Sequence, residues 1–306
     1  MGIFILKRFL SLIPVGFGVI TVVALLIHTV PGDPVDTILG DYATLQEKEE
    51  LRKGLGLDKP IAEQLVEYYK NISSGDLGNS LIYNRPVLDL IKERMQATVE
   101  LALISMIVAI LMSIPLGILS ALQQGKLIDF AAMATALFGV AIPNFWLGPM
   151  LILLFSLELG WLPVSERGNW QTYILPAITM GTALAAMLSR MTRNSMLDNM
   201  REDFTRTARA KGVPERSVIG KHVLRNASLP LITVVGLQFG ALLTGAVITE
   251  RIFDWPGLGT LILDGLGNRD YPLVQGCVLV FSASYLLVNL VTDLLYAFTD
   301  PRIEMK

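Results

Sequence analysis

Hydrophobic residues in this chain come in long runs rather than in stripes. The runs cover residues 9–30, 97–122, 130–157, 173–189, 229–249 and 274–298. A bilayer-spanning helix needs about 20 consecutive apolar residues, whereas a soluble core helix needs only one apolar face. The pattern predicts an all-α polytopic membrane protein with six transmembrane helices. Pro14, Pro115, Pro143 and Pro176 interrupt several of these runs. Each proline removes a helix hydrogen bond and bends its span, which membrane helices packed around a passage tolerate.

The pattern changes between the first two runs. Residues 31–96 hold 12 acids and 8 bases. Thr44 and Glu47 have the spacing of a capping box. Ile61, Leu65, Tyr68 and Ile72 recur at the spacing of an amphipathic helix. GDLGNS (residues 75–80) reads as a turn, and Pro86 opens a helix that runs into the next span. Together they predict a small helical cap. Lys7 and Arg8 precede the first run, which is too long for a signal-peptide core and lacks a small-residue cleavage site, so an uncleaved helix is expected.

Charge orients the chain. With the N-terminus inside, the inner segments carry 14 bases and the two short outer loops carry three, Arg167, Arg251 and Arg269. Short cytoplasmic loops collect Lys and Arg, so both termini are expected in the cytoplasm and the cap outside. The expected division is residues 1–30 as N-terminus and first helix, 31–96 as the extracytoplasmic cap, and 97–306 as a core of five helices. Half the chain is hydrophobic (52%), mean hydropathy is +0.54, and the net charge of −2 gives no pointer to nucleic acid.

The same sequence offers little chemistry. Cys277 is the one cysteine, and His28 and His222 lie far apart, so neither a disulfide nor a metal or cofactor site is expected. His28 fits an interfacial side chain better than a ligand or gate. The echo of a phosphate loop, ERSVIGKH (residues 215–222), lacks the first glycine and the hydroxyl that such a loop needs. The GLG triplets at 54–56 and 257–259 read as outer turns. Asp293, Glu100 and Glu250 are the acids within or at the rim of the runs, and Asp293 fits a structural partner on a neighbouring helix better than catalysis. The chain is not expected to be an enzyme. It reads as a passage without an energy source: a stand-alone channel or secondary carrier, or a carrier driven by a separate motor.

Residues 201–230 favour the motor. REDFTRTARAKGVPERSVIGKHVLRNASLP holds seven bases against three acids, and Gly212-Val213-Pro214 divides it into two short helices. Glycine stops the first helix and proline suits the first turn of the next. A basic cytoplasmic loop follows from orientation alone; the hinge makes it a docking surface as well. Further on, Gly236 and Gly240, with Gly245 beyond, allow close helix approach, within this chain or against a second membrane subunit.

Ordered motifs along nearly the whole chain now carry a resemblance. LKRFLSLIPV near the start, PGDP after the first run, GDLGNS, FTRTARAKG, LRNASLP, IFDWPGLG, NRDYP and a terminal DPR occur in sequence. The chain resembles the inner-membrane permease subunits of ATP-binding-cassette importers of the dipeptide, oligopeptide, glutathione and nickel type. That resemblance implies a multi-pass protein of the bacterial inner membrane, with residues 197–228 as the segment coupled to the ATPase. Aligned on Gly212, the Glu of the family's E-A-A-x-x-x-G motif is Arg206 here, and its two alanines are Thr207 and Ala208. Ala208 and Gly212 are then expected to allow close approach and the hinge, and Arg206, Arg209, Lys211 and Glu215 to supply polar contacts. The implied partners are a second homologous permease, two ATP-binding subunits, an extracytoplasmic solute-binding protein and the bilayer. Di- or oligopeptides are the first expected solutes, glutathione or a nickel chelate the alternatives. Asn144, Gln238 and Asn289, polar positions within apolar runs, are the passage-lining candidates, with helix–helix hydrogen bonding as their other role.

Overall fold

The computed structural model describes residues 2–26, 34–40, 43–54, 56–164 and 167–299. His28 and the PGDP motif therefore lie largely or wholly outside the described residues. The fold is nearly all helical, and among the described residues the one β feature is an isolated bridge between Asn79 and Pro86. The chain divides into two compact units, Met1–Thr98 with Pro256–Leu286, and Val99–Trp255 with Leu287–Lys306.

The first unit holds α1 (Gly2–Leu26), α2 (Pro34–Leu39), α3 (Leu45–Gly54), α4 (Ile61–Ser73), the start of α5 (Val87–Leu122), α13 (Leu258–Gly267) and the start of α14 (Tyr271–Thr299). The capping box forms at the head of α3: Glu47 Oε2 accepts from Thr44 N at 2.8 Å, and Thr44 Oγ1 accepts from Glu47 N at 3.3 Å. The bonds that Thr44 N and Thr44 Oγ1 donate to Oε2, both at 2.8 Å, hold the Glu47 carboxyl below the usual carboxylate range. The α4 helix lies on α1, with Tyr69 stacked on Phe17 at 4.9 Å and its hydroxyl donating to Phe17 O at 2.9 Å. Burial pushes the neighbouring Tyr68 phenol up to about 12.

GDLGNS is tied down by an acid nearly two hundred residues away. Asp270 is fully buried. Its Oδ2 accepts from Ser80 Oγ at 2.5 Å and Ile82 N at 3.3 Å, while Oδ1 accepts from Leu273 N at 3.2 Å in the first turn of α14. Around this joint Val87, Leu90, Ile91, Leu258, Leu261, Leu273 and Cys277 form the core. The expected outer loop 251–270 is thus largely the α13 helix, whose Leu258 and Leu261 are core residues. Thr98 Oγ1 caps it by accepting from Leu258 N at 2.8 Å.

The second unit holds the rest of α5, α6 (Leu127–Ala141), α7 (Asn144–Leu151), a π-helical stretch Ile152–Glu158, α8 (Ile174–Arg201), α9 (Asp203–Ala210), α10 (Glu215–Ser217), a second π-helical stretch Val218–Val223, α11 (Leu224–Gly245), α12 (Val247–Ile252) and the rest of α14. Among the described residues three helices are long and apolar enough to cross a membrane, and up to five if each of two bent pairs counts as one span. The apolar stretch of α1, Leu12–Leu25, is shorter.

Several expected boundaries move. The run 130–157 is not one straight span: it bends by 100° between α6 and α7. Ile142 adopts φ −86°, ψ 115°, the extended conformation that a following proline imposes, and Pro143 has no N–H to continue the helix. The run 173–189 continues as helix to Arg201, so the coupling segment begins inside α8. Residues 87–96 belong to α5, the helix that Pro86 is expected to open. Gly236 faces Thr292, whose Oγ1 would lie 2.1 Å from a Cβ there, so this glycine packs within the chain.

Asp270→Ala is expected to leave the Ile82 and Leu273 amides and the Ser80 hydroxyl without their acceptor, costing about 1–3 kcal/mol. Thermal unfolding of the detergent-solubilised protein would register this as a lowered midpoint; an unchanged midpoint would count against the joint.

Candidate functional site

The basic segment is built on the end of α8. Glu202 breaks that helix with φ −67°, ψ 152°, and Asp203 opens α9, an acid at the positive end of a helix. Only Thr205 and Ala208 of α9 are buried. Thr205 Oγ1 donates to Asn199 O at 2.8 Å, and Ala208 packs with Ala121, Met196, Val218, Ile219, Val223 and Ala227. The other face leaves Arg206, Thr207, Arg209 and Lys211 exposed.

Gly212 ends the helix in the left-handed region, φ +75°. Its N–H donates to Arg209 O at 2.9 Å and the next N–H, of Val213, to Ala208 O at 3.2 Å. This pair of bonds is a Schellman C-cap, and Val213 packs on the cluster that holds Ala208. Pro214 then sits at the N-cap of α10, one residue ahead of its first turn. Across the turn Arg209 grips Glu215 with two bonds, Nη2 to Oε1 at 2.7 Å and Nε to Oε2 at 3.2 Å. The Glu215 bond raises the Arg209 guanidinium above its usual value. Among the described residues Arg206 makes a long contact of 3.5 Å to Asp203, and its side chain is 73% exposed. Arg209 and Glu215 are thus held by each other, whereas Arg206 and Lys211 project outward.

The expected second short helix has no free end. It passes from α10 through the π-helical stretch into α11, and the axis turns by 51° near Pro230. Leu224 N donates to Ile219 O, five residues back. That spacing places Val218, Ile219 and Val223 together in the cluster; α-helical spacing from Val218 would have turned His222 inward.

The three passage candidates sit on three elements. Asn144 is the first residue of α7, just past the 100° bend, and is partly buried. Gln238 of α11 places Nε2 3.4 Å from Met187 Sδ of α8. Asn289 of α14 has a buried Oδ1 that meets no donor among the described residues. Separately, α5, α11 and α14 leave a cleft of about 620 Å³ with an almost wholly apolar lining that includes Gly236, Phe239 and Thr292 but none of the three candidates. Asp293 is partly buried on α14.

Two polar clusters went unread in the sequence because their members are far apart along it. Asp129 of α6 pairs with Arg193 of α8 at 2.7 Å. Glu100 Oε2 accepts from Arg167 Nη2 at 2.7 Å and Tyr173 OH at 2.8 Å, and Tyr173 meets Trp255 edge-on at 4.7 Å.

Ala208→Leu is expected to overpack the cluster under α9 and cost about 1–3 kcal/mol. Arg209→Ala, at a mostly exposed ion pair, should cost about 1 kcal/mol or less. Thermal unfolding of both variants checks the contrast, and equal losses would contradict the burial pattern described for α9.

A family model described as "Binding-protein-dependent transport system inner membrane component" matches residues 113–305, and its N-terminal companion matches residues 1–102. Curated relatives include the glutathione transport system permease protein GsiC of Escherichia coli O6:H1, 46% identical over 303 residues, covering 99% of each chain. GsiC of Shigella dysenteriae serotype 1 is 45% identical over the same length and coverage. Among solved structures, the MetNI methionine ABC transporter in inward-facing conformations matches with a TM-score of 0.57 at 18% identity, over 70% of this chain and 97% of that one. An amino acid ABC transporter crystallised with histidines matches with a TM-score of 0.51 at 15% identity, over 71% and 95%. This protein belongs to the family of binding-protein-dependent transport system inner membrane components, the multi-pass permeases of ATP-binding-cassette importers.

Proposed function

We propose that this chain is the permease through which glutathione or similarly small peptides enter the cell, with energy supplied by separate ATPase subunits. The relatives named for glutathione match it over nearly their whole length, which supports that solute ahead of a nickel chelate. The full assembly in this reading holds a second homologous permease, two ATP-binding subunits and an extracytoplasmic solute-binding protein. The chain itself hydrolyses no ATP. Six transmembrane helices come from α1, α5, the bent α6–α7 pair, α8, α11 and α14. Both termini face the cytoplasm and residues 31–96 face outward, in keeping with the distribution of Lys and Arg.

One observation carries the coupling role: an eight-residue helix with a buried Ala208 and Thr205 on one face and basic side chains on the other, closed by a left-handed Gly212. Such a helix is anchored from below and free to be gripped from above. Arg206, Thr207, Arg209, Lys211 and Glu215 form the gripped surface, and Ala208 and Gly212 set its height and end. Arg206 stands where the resemblance places a glutamate, so the ATPase cleft that receives it presents acids. Asn144, Gln238 and Asn289 serve the passage in this reading.

The test is co-purification of the tagged chain with its candidate ATPases, wild type beside Gly212→Pro. Proline cannot adopt φ +75°, so the variant should retain ATPase at least about tenfold less well, equivalent to about 1.4 kcal/mol. If no ATPase co-purifies with the wild type and the chain alone carries glutathione into liposomes, the importer reading fails.

A further inference from the structure

A charge pair with a buried carboxylate and a half-buried guanidinium joins three helices close to α9. Asp129, in the first turn of α6, is 6% exposed. Arg193 of α8 grips it with Nε to Oδ1 and Nη2 to Oδ2, both at 2.7 Å. Ser120 Oγ, in the last turn of α5, donates to Oδ1, and the Gly125 N–H of the α5–α6 turn donates to Oδ2 at 2.9 Å. One carboxylate thus takes four donors, from α5, from the turn after it and from α8. Two-pronged Arg–carboxylate contacts fix orientation as well as distance, and the buried Asp129 carboxylate resists losing its cation because it would be left unpaired away from water.

The same helices meet the underside of the coupling segment. Ala121 of α5 and Met196 of α8 share a cluster with Ala208 of α9. One turn away, Gly117 of α5 fits so tightly against α8 that a Cβ would lie 2.5 Å from Thr192 Cβ. Apolar contacts of this kind transmit a push, but they allow sliding and rotation. The Arg193–Asp129 contact allows neither.

We propose that Arg193 and Asp129 are positioning residues for energy coupling. Their contact locks α5, α6 and α8 into one block, so that an ATPase subunit displacing α9 moves the α5–α6 hairpin together with α8. The inference rests on the reading of α9 and α10 as the ATPase seat.

The experiment uses the complete importer, with both permeases, the ATPases and the binding protein, in lipid nanodiscs. Spin labels are placed through Leu127→Cys at the exposed start of α6 and Asn194→Cys on the exposed side of α8, outside the ATPase seat, in a Cys277→Ala background. Their separation is measured before and after trapping with ATP and vanadate. In the otherwise wild-type complex the separation should stay within the width of its distribution. In Arg193→Met it should shift or broaden on trapping, and Arg193→Lys, which keeps the charge but loses the two-pronged contact, should fall between. A wild-type separation that changes on trapping overturns the proposal, as does an Arg193→Met complex that behaves as wild type. If Arg193→Met fails to assemble while Arg193→Lys matches wild type, the pair serves folding alone and the proposal is likewise overturned. Absence of ATPases from the wild-type complex is a separate result: it sinks the coupling reading and takes this inference with it.

Discussion

Close backbone approach around α8 is the constraint on which the second unit depends. A Cβ at Gly181 would lie 2.9 Å from Ser105 O of α5, and one at Gly139 of α6 would lie 3.2 Å from Thr182 Cγ2 of α8. Lipid tails are as apolar as leucine, so burial from water gives membrane helices no reason to associate, and packing contact must do so. Small residues bring the backbones near enough for that contact to accumulate. Four hydroxyls of α8 bond within their own helix, among them Thr179 to Leu175 O at 2.8 Å and Thr192 to Leu188 O at 2.7 Å, whereas Ser195 Oγ donates across to Ala227 O of α11 at 2.9 Å. At those four positions the helix therefore presents a surface that is polar in composition but apolar in effect.

Because α8 is continuous from Ile174 to Arg201, its packing in the apolar region and its polar end are mechanically one object. The α9 helix hangs from that end and is seated by Ala208 on residues of α5, α8 and α11. A segment of eight residues could not hold a helix alone, since short isolated helices are marginal in water. Its order comes from the Schellman turn at Gly212, the Thr205–Asn199 bond and the cluster below. The exposed basic face therefore needs no internal partner to stay in place.

What the sequence made legible was local. The Thr44–Glu47 box, the helix opened by Pro86 and the turn at Gly212 all follow from residues within a few positions of one another, and each is where its spacing puts it. The family was legible as well, because its motifs run the length of the chain. The 100° bend was legible only as a proline; its size depends on how far Ile142 departs from the helix and on what α7 then packs against. Thus Gly148 fits beside Ile252 and Phe253, contacts supplied by residues a hundred positions later. Ser80–Asp270 and Asp129–Arg193 were illegible for the same reason: a lone acid at the edge of an apolar run has no visible partner until the chain is folded.

The π-helical stretch Val218–Val223 shows how a local irregularity serves the larger arrangement. An α-helical continuation from α10 would repeat its inward face every three or four residues, bringing Lys221 or His222 toward the apolar cluster. Burying either without a partner would be costly. The five-residue hydrogen bond from Leu224 to Ile219 widens the turn so that Val218 and Ile219 both face the cluster with Val223, while Lys221 stays exposed and His222 is half-buried. The widened turn also fixes the rotational register in which α11 leaves the cluster. Val223, Ala227 and Leu231 then follow one another at α-helical spacing as buried residues. Beyond the 51° turn near Pro230, the same helix brings Gly236 against Thr292 of α14.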